Sequence, residues 1–214
     1  MSFYLLITFL VFLCPSMVTS DLAALNITQK VAVDLYYESL CPLSADFITT
    51  ELAKVFQEQG LFSIIDLRLS PWGNAQIGEG ESFSCQHGES ECLLNTIEAC
   101  AISIWPDVNQ HFPLIDCIET FVQQGQSPQW ETCCQTLGFD SNAASDCYSN
   151  GLGNELEMQY AAQTPPHQFV PWVVVDGQPI NNDYGNFVHY VCKAYNGSAV
   201  PGACRTVSLA KTRN

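Results

Sequence analysis

Cys41 is the side chain best placed for chemistry in this sequence, because it lies where a predicted strand ends and a predicted helix begins. A thiol at the start of a helix faces unpaired backbone N–H groups and the positive end of the helix dipole. Both stabilise the thiolate, which is the form that attacks disulfides. The position predicts thiol–disulfide chemistry at Cys41, and the alternative is that Cys41 is one half of a structural disulfide.

Ser44 stands where a dithiol of the Cys-x-x-Cys type has its second cysteine, since the chain reads Cys41-Pro42-Leu43-Ser44. A hydroxyl can donate a hydrogen bond to a thiolate, but it forms no S–S bond and cannot displace a substrate from Cys41. Release of a mixed disulfide must then wait for an external thiol such as glutathione or cysteine. Pro42 suits the first turn of the helix, where proline is preferred. The sequence therefore predicts attack without self-resolution.

The remaining cysteines indicate a disulfide framework. Of the 11 cysteines, ten lie outside the first twenty residues, a density typical of a folded domain in an oxidising compartment. Setting Cys41 aside leaves an odd number, so one further thiol is unpaired, and Cys134 of the adjacent pair Cys133-Cys134 is the expected one. Connectivity does not follow from sequence, and a Cys41–Cys134 bond that silences the site stays open. Our predicted pairs are local: Cys85–Cys92, Cys100–Cys117, Cys133–Cys147 and Cys192–Cys204.

His87 lies between Cys85 and Cys92 and raises the question of a metal site. A zinc site formed by these three residues is disfavoured, because oxidising conditions favour the disulfide. We predict no metal and no bound cofactor, and expect His87 to be structural or to shape a substrate groove. The other histidines are expected to be structural or exposed: His111, His167 and His189.

The elements around Cys41 form a strand–helix–strand unit. Residues 31–37 are β-branched and aromatic and predict a buried strand. Apolar residues from Phe47 to Phe56 follow one helical stripe within 44–59, and Gly60 ends that helix. Residues 61–69 predict a second strand, so the crossover between the two should be right-handed.

The rest of the chain predicts a helical segment and then a second strand-containing part. Residues 72–160 contain no convincing strand, and helices are predicted over 91–104, 112–123 and part of 141–160. A strand over 172–175, an Asp176-Gly177 turn, a short returning strand near 179–180 and a helix over 184–195 follow. This order predicts an α/β fold, a thioredoxin-like sheet with a disulfide-stapled helical insertion at about 72–160.

One stretch resembles a known family. The chain reads Cys85-Gln86-His87-Gly88, then two residues, Glu91-Cys92, two residues, Asn95, four residues and Cys100. This pattern is similar to the signature of the gamma-interferon-inducible lysosomal thiol reductase family. The segments 36–42 and 165–173, with Cys192 and Cys204, extend the resemblance over nearly all of the chain after residue 20. It implies a thioredoxin-like reductase of disulfides in endocytosed proteins. The family's first catalytic cysteine matches Cys41, and its second falls on Ser44.

Pro171 resembles the proline that thioredoxin-like folds place opposite the nucleophile, after a cis peptide bond and before a strand. A cis Val170–Pro171 bond would present the backbone groups of Val170 to an extended substrate beside Cys41. The resemblance thus implies a substrate groove formed by Pro42, Val170 and Pro171.

The N-terminus predicts the secretory pathway. Residues 1–20 contain an apolar run that is too short to span a bilayer and ends in small residues typical of signal-peptidase cleavage; a retained anchor is the alternative. The remainder, 21–214, is predicted to be a single domain without a membrane span. Sequons at Asn26 and Asn196 predict glycosylation in the same pathway, with the lumen of a lysosome or vacuole, or the outside of the cell, as the destination.

The net charge of −15, with only seven Lys and Arg residues, argues against nucleic acid or an anionic membrane as a partner. Three function classes remain. The first is a single-cysteine thiol–disulfide oxidoreductase that acts on protein disulfides and small thiols. The second is a redox-impaired relative that binds client proteins without turnover, and the third is a disulfide-rich structural protein. The strand–Cys–Pro–helix unit favours the first.

Overall fold

A computed structural model describes residues 30–58, 60–126 and 128–211. The predicted signal segment 1–20 and Asn26 lie outside these residues. Within the described residues, none of the helices combines the length and the apolar character that a bilayer span needs. The strands are β1 (Val31–Tyr37), β2 (Ile65–Pro71), β3 (Gln76–Ile77), β4 (Phe83–Ser84), β5 (Trp172–Val175) and β6 (Gln178–Pro179). The α-helices are α1 (Pro42–Asp46), α2 (Ala53–Gln57), α3 (Glu89–Ile104), α4 (Val108–Gln123), α5 (Trp130–Leu137), α6 (Ser141–Ser149), α7 (Leu152–Gln163), α8 (Phe187–Ala194) and α9 (Gly202–Lys211).

The main sheet has the order β2-β1-β5-β6. Strands β1 and β2 are parallel, with Val33 opposite Leu67, and β5 runs antiparallel to β1. The β5–β6 turn contains Asp176 and Gly177, which both have positive φ (49° and 76°), as a tight hairpin turn of this type requires. The predicted strand–helix–strand unit and the later hairpin therefore join in one sheet.

The helix after β1 departs from regular α geometry in its middle. Helices α1 and α2 are joined by a π-helical segment, Phe47–Leu52, in place of the single regular helix predicted over 44–59. The hydroxyls of Thr49 and Thr50 donate to the carbonyls four residues earlier, at 2.7 and 2.6 Å. Such back-bonding by Thr competes with the helical ladder and distorts it.

The apolar core lies between the sheet and the helices that cover it. Alternate β1 side chains, among them Val33 and Leu35, are fully buried and pack with Ile48, Leu52 and Phe187. This packing fixes the end of β1 and the start of α1, and with them the position of Cys41.

The insertion is mainly helical, but the prediction for it was wrong in several details. Strands β3 and β4 form a small two-stranded sheet where no strand was predicted. Helix α5 was not predicted, because Thr and Cys are weak helix formers in its sequence. The region 141–160 holds two helices rather than one, separated at Gly151, whose φ is 96°. Helix α9 also lies beyond the predicted terminal helix.

The disulfides are Cys85–Cys92, Cys100–Cys147, Cys117–Cys133 and Cys192–Cys204. Two of the four predicted pairs are thus present, and the pairs Cys100–Cys117 and Cys133–Cys147 were wrong. The physical reason is helix packing, because α3 packs against α6 and α4 packs against α5. Nearness in sequence is a poor guide once helices from distant segments are neighbours.

Candidate functional site

Cys41 is held at the junction of β1 and α1 by backbone hydrogen bonds. Its N–H donates to the Glu38 carbonyl at 3.3 Å, and its own carbonyl accepts from Ala45 N–H at 3.0 Å. Cys41 is the N-cap residue of the helix, with an extended backbone (φ −77°, ψ 117°). It is a free thiol and the residue is only 8% exposed. The alternative bond to Cys134, which the sequence left open, is not formed, since both cysteines are free.

The segment that contains Val170 and Pro171 lies next to Cys41. The Val170–Pro171 peptide bond is cis, as the resemblance implied. The Cys41 Sγ lies 4.0 Å from the Val170 carbonyl oxygen, and the Tyr184 hydroxyl donates to the Pro171 carbonyl at 2.7 Å. Burial, and then the negative charge of an ionised Cys41, raise the pKa of Tyr184 to about 12. Tyr184 therefore stays protonated and continues to donate beside the thiol.

Ser44 is buried one turn into the helix, and its hydroxyl has no hydrogen-bond partner. The hydrogen bond to Cys41 that a serine could make is therefore absent. A buried hydroxyl without a partner costs about 1–3 kcal/mol. This side chain provides neither a resolving thiol nor a polar contact to the nucleophile.

Two glutamates from the insertion are buried behind Cys41. Glu98 and Glu119 are fully buried, and the Tyr37 hydroxyl donates to Glu98 Oε2 at 2.6 Å. Burial raises the pKa of Glu98 to about 8. Burial, then the charges of Glu98 and Cys41, raise the pKa of Glu119 well above its ordinary value. Glu98 Oε1 and both carboxyl oxygens of Glu119 are buried without a hydrogen-bond partner, which disfavours the charged form of each group.

The buried acids continue away from the thiol to Glu157 and Tyr160. Burial, and then the charge of Glu98, raise the pKa of Glu157 well above its ordinary range. Burial, and then the charge of Glu157, raise the pKa of Tyr160 to about 12. The inner side of the site is thus lined with groups that remain neutral in acid.

The signature segment holds the turn that precedes Cys41. The Ser39 N–H donates to Asn95 Oδ1 at 2.9 Å, and the Ser39 hydroxyl donates to the Glu91 carbonyl at 3.3 Å. The bonds join α3 to the segment between Tyr37 and Cys41. Asn95 and Glu91 of the signature therefore hold the turn that leads into Cys41.

A second set of bonds ties this turn to the loop after β2. Glu38 Oε1 accepts from Asn74 N–H at 2.6 Å. A side chain at Gly73, where φ is 55°, would approach Glu38 Cγ to 2.3 Å, so only glycine fits there. The Asn74 side chain donates to Gln86 at 3.1 Å and lies 3.0 Å from His167 Nε2. His167 is in this way part of the structure around the site.

The structure brings some predicted site residues together and separates others. Cys41, Pro42, Ser44, Val170 and Pro171 lie around the start of α1, whereas most disulfides are in the insertion. Cys85–Cys92 closes the signature loop, and Asn196 is exposed between α8 and α9. Sequence reasoning missed Glu98, Glu119 and Tyr184. A signal was available only for the acids, as Glu residues within apolar helical segments.

Comparison with known proteins finds a family model and curated relatives that are similar to most of the chain. The family model described as Gamma interferon inducible lysosomal thiol reductase matches residues 32–137. A "Gamma-interferon-responsive lysosomal thiol protein" from Arabidopsis thaliana is 38% identical over 192 residues, which cover 86% of this chain and 79% of that protein. A "Gamma-interferon-inducible lysosomal thiol reductase" from Mus musculus is 32% identical over 190 residues, covering 85% and 74% respectively.

Solved structures agree on the fold. BdbD from Bacillus subtilis superimposes with a TM-score of 0.56 at 12% identity, covering 78% of this chain and 88% of that one. MdbA, a thiol-disulfide oxidoreductase from Actinomyces oris, gives 0.52 at 11% identity, covering 79% and 82%. At such identity the likeness speaks for the fold alone, and the predicted thioredoxin-like fold is confirmed.

Proposed function

The chain belongs to the gamma-interferon-inducible lysosomal thiol reductase family, and we propose that it reduces protein disulfides through the single thiol of Cys41. The observation that carries this proposal is the state of Cys41. It is a free thiol at a helix start, beside the Val170 carbonyl and the cis bond to Pro171. The thioredoxin-like fold and the thiol reductase family support the same reaction class.

The first step is attack on the substrate. The Cys41 thiolate attacks one sulfur of a protein disulfide, the S–S bond breaks, and the other substrate sulfur leaves as a thiolate that takes up a proton. Cys41 is then joined to the substrate in a mixed disulfide. Ser44 cannot break this bond, because its hydroxyl offers no sulfur and is scarcely ionised.

The second step uses a small thiol such as glutathione or cysteine. Its thiolate attacks Cys41 Sγ, releases the second substrate thiol and leaves a mixed disulfide between Cys41 and the small thiol. A second small thiol then frees Cys41 and forms the oxidised small disulfide. The balance is one protein disulfide plus two small thiols, giving two protein thiols and one small disulfide.

Buried Glu98 is largely neutral both at neutral pH and in an acidic lumen, so the buried acids are compatible with either location. Burial raises the pKa values of Glu98 and Glu119. Below about pH 8 Glu98 is therefore largely protonated, and the raised pKa of Glu119 likewise favours its protonated form. While they are neutral, no carboxylate charge behind Cys41 opposes the thiolate. We propose the lumen of a lysosome or vacuole, or secretion, as the location, with Asn26 and Asn196 as glycosylation sites. Cell fractionation combined with enzymatic deglycosylation of the purified protein tests both points.

The test of the reaction is the replacement Ser44→Cys. The proposed cycle waits for an external thiol, so a second cysteine that resolves the mixed disulfide within the chain should raise turnover at low small-thiol concentration by at least about tenfold. It should also shorten the life of trapped enzyme–substrate complexes on non-reducing gels. The measurement is reduction of a disulfide-bonded protein at low small-thiol concentration, with Ser44→Ala as the matched control. Unchanged turnover for Ser44→Cys would show that the missing second thiol does not limit the rate of reduction.

A second candidate function is client binding without turnover. Ser44 favours it, because the family's resolving thiol is absent, and Leu43 favours it, because this side chain is 62% exposed two residues after the nucleophile. Wild-type protein in excess small thiol separates the two. Binding of a client with no reductase rate, and with the same affinity in Cys41→Ser, would support binding and remove the reductase.

A further inference from the structure

Three side chains beside the active-site turn form a cluster that the disulfide chemistry does not use. They are Glu38, His87 and Glu91, and one ligand atom of each lies within 4.8 Å of the others. We propose that this cluster is a binding site for a divalent transition metal of the zinc type, with His87 Nδ1 and one oxygen of each glutamate as ligands.

The first support is an unsatisfied buried oxygen. The Glu38 side chain is fully buried, and its Oε2 has no hydrogen-bond partner. That oxygen faces the cluster, where His87 Nδ1 lies 3.7 Å away. A buried carboxylate oxygen without a donor is unfavourable, and a cation placed between Oε2 and Nδ1 would remove that cost.

The second support is the local charge. Glu38 and Glu91 are both fully buried. Among the described residues neither forms an ion pair with a Lys or Arg, and the basic side chain next to both is that of His87. Two carboxylates next to one imidazole leave a negative excess whenever both are ionised. A divalent cation would neutralise it.

The third support is that the ligands are held in place. Glu38 Oε1 accepts from Asn74 N–H at 2.6 Å, and Glu91 Oε1 accepts from His87 N–H at 3.3 Å. In each glutamate, the hydrogen bond to Oε1 therefore orients Oε2, the proposed ligand atom. Second-shell hydrogen bonds orient metal ligands in the same way in other proteins. The Cys85–Cys92 disulfide closes the loop that carries His87. His87 is partly exposed, which leaves a path for an ion to enter.

The distance between His87 Nδ1 and Glu38 Oε2 fits a small ion. Zinc lies about 2.0–2.2 Å from nitrogen and carboxylate oxygen ligands, so two ligands on opposite sides of it are separated by roughly 4.2 Å at most. The 3.7 Å between Nδ1 and Glu38 Oε2 lies within that limit. His87 Nδ1 is now hydrogen-bonded to Glu91 Oε2, and the ion would replace this bond. One nitrogen and two oxygens, with water completing the shell, is a ligand set that zinc accepts.

This ligand set differs from the one considered from the sequence. The sulfur atoms of Cys85 and Cys92 are bonded to each other and offer no thiolate. Glu38 lies in the turn before Cys41 and is 49 residues from His87 in sequence. Sequence spacing around the cysteines therefore gave no indication of this cluster.

The experiment is calorimetric titration of the full chain with Zn²⁺ at about pH 7.5, where imidazole is neutral. We expect one site, and at least about tenfold weaker binding in Glu38→Gln and in His87→Gln. Cobalt(II) should give a visible spectrum without a thiolate charge-transfer band. The matched controls Glu155→Gln and His189→Gln, at positions outside the cluster, should bind as the wild type does.

His87→Gln keeps the test decisive if Glu38→Gln does not fold, because His87 is partly exposed and its change leaves the core intact. Cys41→Ser should leave the affinity unchanged. The proposal is overturned if binding is lost in Cys41→Ser, if the controls weaken it as much as His87→Gln does, or if His87→Gln leaves it intact.

Discussion

The two free cysteines lie in regions with opposite surroundings. Cys41 is at the start of a helix in the thioredoxin-like part, beside backbone groups and the cis bond to Pro171. Cys134 is inside α5 of the insertion, fully buried among Leu94, Leu114 and Ile118. Burial, and then the charges of Glu131 and Asp140, raise the pKa of Cys134 to about 11.

The comparison shows that low exposure does not decide reactivity by itself. Both residues are largely covered, yet only Cys41 lies at the positive end of a helix, where a thiolate is stabilised. Cys134 is surrounded by apolar side chains and nearby negative charges, which disfavour its thiolate. A cysteine-rich chain can thus keep one reactive thiol and one inert thiol.

The largest expected difference is in alkylation rate. At pH 7 a thiol with a pKa of about 11 is ionised in only about one molecule in ten thousand. Cys134 should therefore react with iodoacetamide at least about a hundredfold more slowly than Cys41, as measured by mass spectrometry of the native protein. Labelling of Cys41→Ser and of Cys134→Ala assigns each rate. Equal alkylation rates at the two positions would show that the two thiols do not differ in reactivity.

Removing a disulfide from the insertion should produce the next largest effect. Cys100–Cys147 joins residues 47 positions apart, and closing a loop of that length stabilises the fold by about 4 kcal/mol. The double change Cys100→Ser with Cys147→Ser should lower the free energy of unfolding by roughly that amount, measured in urea.

Cys134→Ala is the matched control in the same helix bundle. It removes a buried cysteine without opening a disulfide and should cost no more than about 1 kcal/mol. If both variants lose the same stability, the disulfide contributes nothing beyond packing.

The change in stability with pH should be a smaller effect per pH unit. It should come from the buried acids of the insertion, because the apolar core does not titrate. The pKa of Glu98 is raised from 4.5 to about 8 in the folded chain, so the folded state retains a proton that the unfolded chain loses. Its stabilising effect is complete below about pH 4.5 and is lost as pH rises towards 8. The free energy of unfolding should fall across this window by up to about 1.4 kcal/mol per pH unit.

Glu98→Gln should reduce this slope, because a glutamine can accept the hydrogen bond from Tyr37 but does not titrate, while Glu119 and Glu157 keep part of the slope. The exposed Glu155→Gln should leave it unchanged. The readout is urea unfolding followed by circular dichroism from pH 5 to 8. A slope in Glu98→Gln equal to that of the wild type would assign the pH dependence to other groups.

The smallest effect is expected at the surface next to Cys41. Leu43 is 62% exposed, whereas Leu137, three residues after Cys134, is 39% exposed. Leu43→Gln should raise KM for an apolar protein substrate about threefold with little change in kcat, because it removes an apolar contact near the thiol. Leu137→Gln should change neither, and an equal rise in KM for both variants would show that Leu43 has no special role.

Much of the fold followed from local sequence patterns. Strand β5 was predicted at its observed residues, and Pro42 stands at the start of the helix after β1; that helix ends at Gln57, before the end that Gly60 predicted. These features depend on residues close in sequence, as do the disulfides Cys85–Cys92 and Cys192–Cys204. Helix α5 and the small β3–β4 sheet were missed because short, polar segments have weak intrinsic preferences that tertiary contacts override.

The sequence by itself identified the family and the thioredoxin-like order of elements, and it predicted Cys41 as the nucleophile and Ser44 at the resolving position, because these lie in contiguous motifs. The tertiary structure alone decided which cysteines pair across α3 and α6, and that Glu98 and Glu119 lie behind Cys41. It also brought Glu38 to His87 and Glu91. The physical reason is that burial and contact between distant segments arise from packing, and packing sets the charge state of a glutamate more strongly than its sequence neighbours do.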